Sequence, residues 1–228
     1  MRRLAAASLA LWLAGCGAAP AVESRTIRFP AEDGAQLVGD LRGVGPAGVV
    51  LAHMYPEDRA SWEGFAEVLA GEGFRVLSFD FRGFGDSDGP RDIPEAWADV
   101  LAAAEELRRR GARRVVVVGA SMGGTAALVA ASRSDLDGVV TLSAPSTFMG
   151  ITASEDVVAA IDEPKLFVAA EGDGQAALTA QRFYVQAPGA KRVEIVTGDE
   201  HGTELLDGRQ SQVVRMTVLS FVRTNAQA

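Results

Sequence analysis

The 228-residue sequence is short of several features that define large classes of protein. It has a single cysteine, Cys16, so no disulfide can join two parts of the chain. It has no surplus of cations. The formal net charge is −8 and the isoelectric point about 4.9, which disfavours nucleic acid as a partner, because phosphate binding needs clustered cations that release counterions. The arginines cluster once, at Arg108, Arg109, Arg110, Arg113 and Arg114, at the end of a helical stretch where cations complement the helix dipole, and they read as a solvated face. There is no long linker and no internal repeat, and 48% hydrophobic content suits one full core, so a single folded domain is expected. The apolar run Leu4–Ala14 falls short of the roughly 20 residues a membrane-spanning helix needs.

What is present begins with an address. "MRRLAAASLALWLAGC" has a basic start, Arg2 and Arg3, ahead of that apolar run, and reads as a secretion signal. The run ends in Leu13-Ala14-Gly15-Cys16, which resembles the lipobox of bacterial lipoproteins. The resemblance implies removal of residues 1–15, lipidation of Cys16, and a tether over 16–24 that holds the protein to a membrane of the bacterial cell envelope. More than one acyl chain makes such an anchor stable.

From Arg25 the chain alternates apolar bursts with amphipathic stretches. "TIRFP" and "AQLVGDL" predict an opening antiparallel pair; "GVVLAH", "FRVLSFD", "RRVVVVG", "LDGVVTLSA", "KLFVAA" and "KRVEIVT" predict six further strands. Helices are predicted at "DRASWEGFAEVLAGEG", "IPEAWADVLAAAEELRRRG", "MGGTAALVAASRS", weakly at "SEDVVAAI", then at "GQAALTAQRFYVQA" and "RQSQVVRMTVLSFVRT". Buried strands alternating with helices give an α/β fold, a mainly parallel eight-stranded sheet with helices on both faces.

Sites in such sheets collect at the carboxyl ends of the strands. There the valine-rich strand breaks into "GASMGGTA". It lacks the lysine of a P-loop, and its glycine spacing is not that of a dinucleotide fingerprint. It does match G-x-S-x-G residue for residue, at Gly119, Ala120, Ser121, Met122 and Gly123, where a sharp turn projects the Ser121 hydroxyl and points the Met122 amide into the same space. A serine nucleophile needs a base, and only two histidines exist. His201, in "TGDEHGTELL" after the last strand, is well placed; His53, ending "GVVLAH", is not. The group that orients the imidazole is expected in "LFVAAEGDGQ", at Asp173, with Glu171 as a close rival.

The order Ser121, Asp173, His201, with G-x-S-x-G after a valine-rich strand, resembles the α/β-hydrolase family, and in particular its serine esterases and lipases and small lidless dienelactone-hydrolase-like members. The resemblance covers about residues 25–225 and makes 25–228 one hydrolase domain. It implies an acyl-enzyme on Ser121, cleavage of carboxylic esters with short or exposed acyl groups, a small-molecule acyl substrate, and neither metal nor cofactor; thioester or peptide cleavage or acyl transfer by the same three residues, and a non-catalytic lipid-anchored binding module, stay open as alternatives. It also implies a second oxyanion amide from the loop after the third strand. That loop reads "LAHMYPED", with Met54 where the family often has glycine, so the donor is Met54 or Tyr55. His53 is expected to form hydrogen bonds behind the loop. "DFRGFGDSDG" has part of a calcium-loop pattern without the remaining ligands, and reads as structural. The interval "APSTFMGITASEDVVAAIDEP" is too short for a large cap, so an open site is expected, its pocket lined by Tyr55, Trp62, Phe148 and Met149, in a monomer.

Overall fold

Each of the four valines Val115–Val118 is wholly buried. Side chains alternate across a strand, so four consecutive buried residues must be covered on both faces. Val115 and Val117 indeed enter one apolar cluster, and Val116 and Val118 the other. In this computed structural model, which describes residues 22–226, that strand lies inside an eight-stranded sheet. Residues 1–15, Cys16 and most of the expected tether lie outside the described residues.

In chain order the sheet strands are β1 (Ser24–Pro30), β2 (Gln36–Arg42), β3 (Ala47–Ala52), β4 (Arg75–Asp80), β5 (Arg114–Ala120), β6 (Gly138–Leu142), β9 (Lys165–Ala170) and β10 (Lys191–Val196). Across the sheet they run β1-β2-β4-β3-β5-β6-β9-β10. β2 is antiparallel to β1 and β4, and the other neighbours are parallel. Between β6 and β9 the chain forms a small hairpin, β7 (Thr147–Phe148) and β8 (Ile151–Thr152), turning at Met149 and Gly150, both at positive φ.

The helices divide between the two faces. α2 (Ala96–Arg109), α3 (Met122–Ala131), α4 (Glu155–Ala159) and α5 (Ala176–Gln186) supply Val100, Leu107, Leu128, Val158 and Phe183 to one cluster. α1 (Glu63–Gly71) and α6 (Ser211–Ala226) supply Phe65, Leu69, Val214 and Val218 to the other. Trp62, expected in a pocket, is instead wholly buried in this second cluster, because the short turn Arg59–Trp62 before α1 rotates its indole inward. The clustered arginines pair with acids, Arg109 and Arg110 at the end of α2 with Glu106, and Arg114 at the start of β5 with Asp137, as a solvated face would.

The loop after β4 is held by buried charge. Arg82 donates from its backbone amide, Nε and Nη2 to Asp99 of α2 at 2.9, 2.9 and 2.6 Å, and from Nη1 to Asp33 at 2.6 Å. Those hydrogen bonds hold the Arg82 guanidinium above its ordinary pKa. Asp80, wholly buried, accepts from the amides of Arg59 and Asp86 at 2.8 and 2.9 Å and pairs with the Arg59 guanidinium. Removing Asp99 would leave the largely buried Arg82 guanidinium with only the exposed Asp33 as counter-charge, and the Arg82 amide without its acceptor. Asp99→Ala is therefore expected to cost about 3–5 kcal/mol, measured by urea unfolding; a loss no larger than that of a surface substitution would show that the pair holds nothing.

Candidate active site

The turn from β5 into α3 is possible only with small residues. A Cβ on Gly119 would lie 2.2 Å from the carbonyl oxygen of Gly123, and one on Gly123 would lie 2.3 and 2.6 Å from the carbonyl oxygens of Ala52 and His53. The strand, the helix and the loop after β3 thus meet backbone to backbone. At the point of contact Ser121 adopts φ 46°, a left-handed conformation costly for any residue but glycine. Its amide donates to Leu142 O at 2.8 Å, which ties the turn to the end of β6. The amide of Met122 opens the first turn of α3, where N–H groups lack helical acceptors and the dipole favours negative charge.

His201 arrives from the loop after β10. Gly202, at φ 59°, admits it beside the loop after β3, with Met54 Sδ packed close by. Glu204 accepts from the His201 amide at 3.1 Å, and Glu200 accepts from the amides of Asp199 and Arg209 at 3.1 and 2.8 Å. The Arg209 amide, first among these, holds the Glu200 carboxyl below its ordinary value. Asp173 follows β9 in a turn closed by the Ala176 amide on its carbonyl at 2.8 Å.

These three loops place three side chains in one row. His201 Nδ1 lies 3.0 and 2.8 Å from the two carboxylate oxygens of Asp173, and Nε2 lies 2.8 Å from Ser121 Oγ. An ionised carboxylate only accepts, so Nδ1 carries the proton and Nε2 is left to accept from the serine hydroxyl. Chemically the row can draw a proton from Ser121 as it attacks an electrophile. Glu171, the rival to Asp173, is exposed and makes no hydrogen bond to His201 among the described residues.

His53 lies behind this site, wholly buried, with its ring against Phe81 and Phe84. Nδ1 donates to Met54 O at 2.8 Å and Nε2 accepts from the Phe81 amide at 3.2 Å. Burial pushes its pKa below the ordinary histidine value, which keeps the ring neutral for both bonds. In front, Tyr55 and Phe148 pack with ring centroids 5.7 Å apart, and Met149 stands 62% exposed at the hairpin tip. Two hollows adjoin the His201 loop, the smaller of them lined by His201 itself. One, of about 480 Å³, is an open groove along Met54, Glu57, Thr203 and Asp207. The other, of about 200 Å³, is more enclosed and was not foreseen from the sequence. Among the described residues no group of three His, Cys, Asp or Glu is placed to hold a metal ion, and no helix is long and apolar enough to cross a membrane.

Glu200 anchors both ends of the His201 loop without touching the imidazole. A carboxylate with a depressed pKa contributes above the unfolded value and loses its effect as pH falls through the folded one; here that loss falls below the ordinary 4.5. Glu200→Gln is expected to lower amide-exchange protection, measured against the intrinsic rate at each pH, several-fold at Asp199 and Arg209 at neutral pH, and acidification of the parent to lower it only below that value. Equal exchange in parent and variant at neutral pH would remove Glu200 as the anchor.

The chain resembles known proteins in two ways. Over 59 residues, 26% of this chain, it is 44% identical to bifunctional epoxide hydrolase 2 of Rattus norvegicus and 46% identical to that of Sus scrofa; the match spans 10% of the length of each of these relatives. Among solved structures, an esterase of Pyrococcus furiosus superposes with a TM-score of 0.77 at 19% identity, covering 90% of this chain and 92% of that one. A dienelactone hydrolase of Anabaena variabilis gives 0.76 at 18%, covering 90% and 99%. The model of the alpha/beta hydrolase fold matches residues 49–163, half of the sequence, and the chain belongs to that family of hydrolases.

Proposed function

We propose that the protein is a serine hydrolase that cleaves carboxylic esters of short or exposed acyl groups. The observation that carries this reading is the row Ser121 Oγ, His201, Asp173, with 2.8 Å on each side of the imidazole. In acylation Ser121 Oγ bonds to the carbonyl carbon while its proton passes to His201 Nε2 and then to the departing alcohol. Water, deprotonated by the same nitrogen, attacks the acyl-enzyme, and the proton returns to Ser121 as the acid leaves.

The oxyanion of each step needs two donors. One is the Met122 amide. For the other, the reading now favours Tyr55 over Met54. His53 Nδ1–H binds Met54 O, and in a trans peptide the N–H points opposite to the C=O. The Tyr55 amide therefore points away from the buried His53 ring, toward the open side of the loop. Among the described residues no cap domain covers the site, so Tyr55, Phe148 and Met149 form a rim where exposed acyl groups dock.

The epoxide hydrolase likeness favours no second reading at this nucleophile. Serine attack on an epoxide would leave an ether, which water and His201 have no means to cleave. Anchoring at Cys16 and action as a monomer in the cell envelope complete the proposal.

Treatment with a fluorophosphonate is expected to add one mass adduct to the parent and none to Ser121→Ala. Absence of an adduct on the parent overturns the reading. His201→Ala and Asp173→Asn are expected to slow ester turnover about 10³–10⁴-fold, and acetate and butyrate esters to react faster than laurate esters. Retained activity in His201→Ala would remove it as base.

A further inference from the structure

Ser143 is the residue of the site's surroundings that the proposed mechanism leaves without work. It follows β6, whose last carbonyl, Leu142 O, accepts the Ser121 amide at 2.8 Å, so it begins at the flank of the nucleophile's own turn. Its backbone is left-handed, at φ 55°. Its side chain is 1% exposed, and its Oγ has no hydrogen-bond partner. Both features are costs that packing alone does not require, since glycine would remove the first and alanine the second.

This serine lines the enclosed hollow of about 200 Å³, together with Pro145, Asp173, Gln175, Thr179 and His201. Most of the hollow's accessible wall is apolar, with a few polar groups set into it, as in ligand pockets generally, and the buried, unpartnered Ser143 hydroxyl belongs to one of its lining residues. It is smaller than the about 300–1,000 Å³ of pockets for drug-sized ligands. The open groove along the His201 loop, lined by Glu200, Thr203 and Glu204, has no such buried orphan and is more than twice the volume.

We propose that the enclosed hollow is an acyl subsite, and that it takes a short acyl chain bearing a hydroxyl, which Ser143 Oγ and its polar neighbours bind. This deepens the serine-hydrolase reading and rests on it. The acyl half must stay in place while water attacks the acyl-enzyme, whereas the alcohol must leave first. The enclosed side suits the half that is retained, and the open groove suits the half that departs. A hydrocarbon chain of equal length would leave the Ser143 hydroxyl unpaired, and a site built to bind a hydroxyl discriminates against the analogue lacking it.

The test compares ethyl 2-hydroxybutyrate and each enantiomer of ethyl 3-hydroxybutyrate with ethyl butyrate, in parent and Ser143→Gly. Glycine suits the left-handed backbone and removes only the hydroxymethyl group; Ser143→Ala serves if the glycine variant does not fold. Fluorophosphonate labelling of Ser121 is read on the same samples. In the parent, at least one hydroxy ester is expected to exceed butyrate by about tenfold or more in kcat/KM. In the variant that ratio is expected to fall to within about twofold of one. A labelled parent with no hydroxyl preference, or a preference that survives in the variant, overturns the subsite while leaving the hydrolase reading intact. A parent that takes no label overturns both.

Discussion

The first turn of α3 presses on the backbone at the end of β3, with room for no side chain between them: a Cβ on Gly123 would sit 2.3 Å from Ala52 O. Everything polar in the site depends on that contact. It sets the Met122 amide and the loop after β3 on the same side of Ser121, and it forces Ser121 into a backbone worth roughly 1–3 kcal/mol of strain. Burial of β5 outweighs the strain. Val115–Val118 are wholly buried, and each valine contributes about 1.5–3 kcal/mol. A strained serine is thus tolerable here because the strand leading to it is buried from Val115 to Ala120. The same turn at an edge strand such as β10, most of whose residues are only partly buried, would have less to hold it.

Beyond the sheet the stabilising forces change in kind. The loops that carry the site bury a few apolar side chains, such as Phe81, Phe84, Leu205 and Leu206, and are held as well by charge and by side chain to backbone hydrogen bonds. Asp80 joins the Arg59 segment to the loop after β4, Asp99 joins that loop to α2, and Glu200 closes the His201 loop on itself. His53 completes the set from behind, with one nitrogen on each of two loops. Because burial lowers its pKa, it holds those bonds as a neutral ring without any counterion. The two histidines of the chain therefore do opposite things: one is fixed and buried, the other is held at a carboxylate with its side chain 41% exposed.

Much of this was legible in the sequence because the signals were local. Continuous apolar runs gave the strands, and G-x-S-x-G gave the turn at Ser121. His201 and Asp173 stood out because the chain has so few histidines and each residue follows a late strand. What was illegible depends on distance along the chain or on a few degrees of backbone. Arg59 and Asp80 are 21 residues apart, and nothing in either segment marks them as a pair. The two-residue strands β7 and β8 are too short for any periodicity. Trp62 reads as a pocket aromatic until the turn before α1 is seen to face it inward. The Met54 and Tyr55 alternatives differ by one peptide plane, and only the bond from His53 orients it. Ser143 looks like any polar residue after a strand; its positive φ and its unpaired hydroxyl exist only in three dimensions.

The two hollows by the His201 loop also differ in charge, and this bears on how the proposed reaction would finish. The open groove is lined by Glu57, Glu200, Glu204 and Asp207, and the whole chain is acidic, with a formal net charge of −8. The substrate ester is neutral at its reacting end, but the second product is a carboxylate. At about 10 Å in water one such charge pair is worth roughly 0.4 kcal/mol, and salt screens it over about 8 Å. Asp207 is further offset by Arg215. The sum is too small to govern binding of a neutral ester, yet its sign opposes every step that keeps the acid near His201. Repulsion that appears only when the acyl-enzyme is hydrolysed favours release of the product without weakening the substrate, and the Ser143 side, where that acid is held last, has only the carboxylate of Asp173 in its wall.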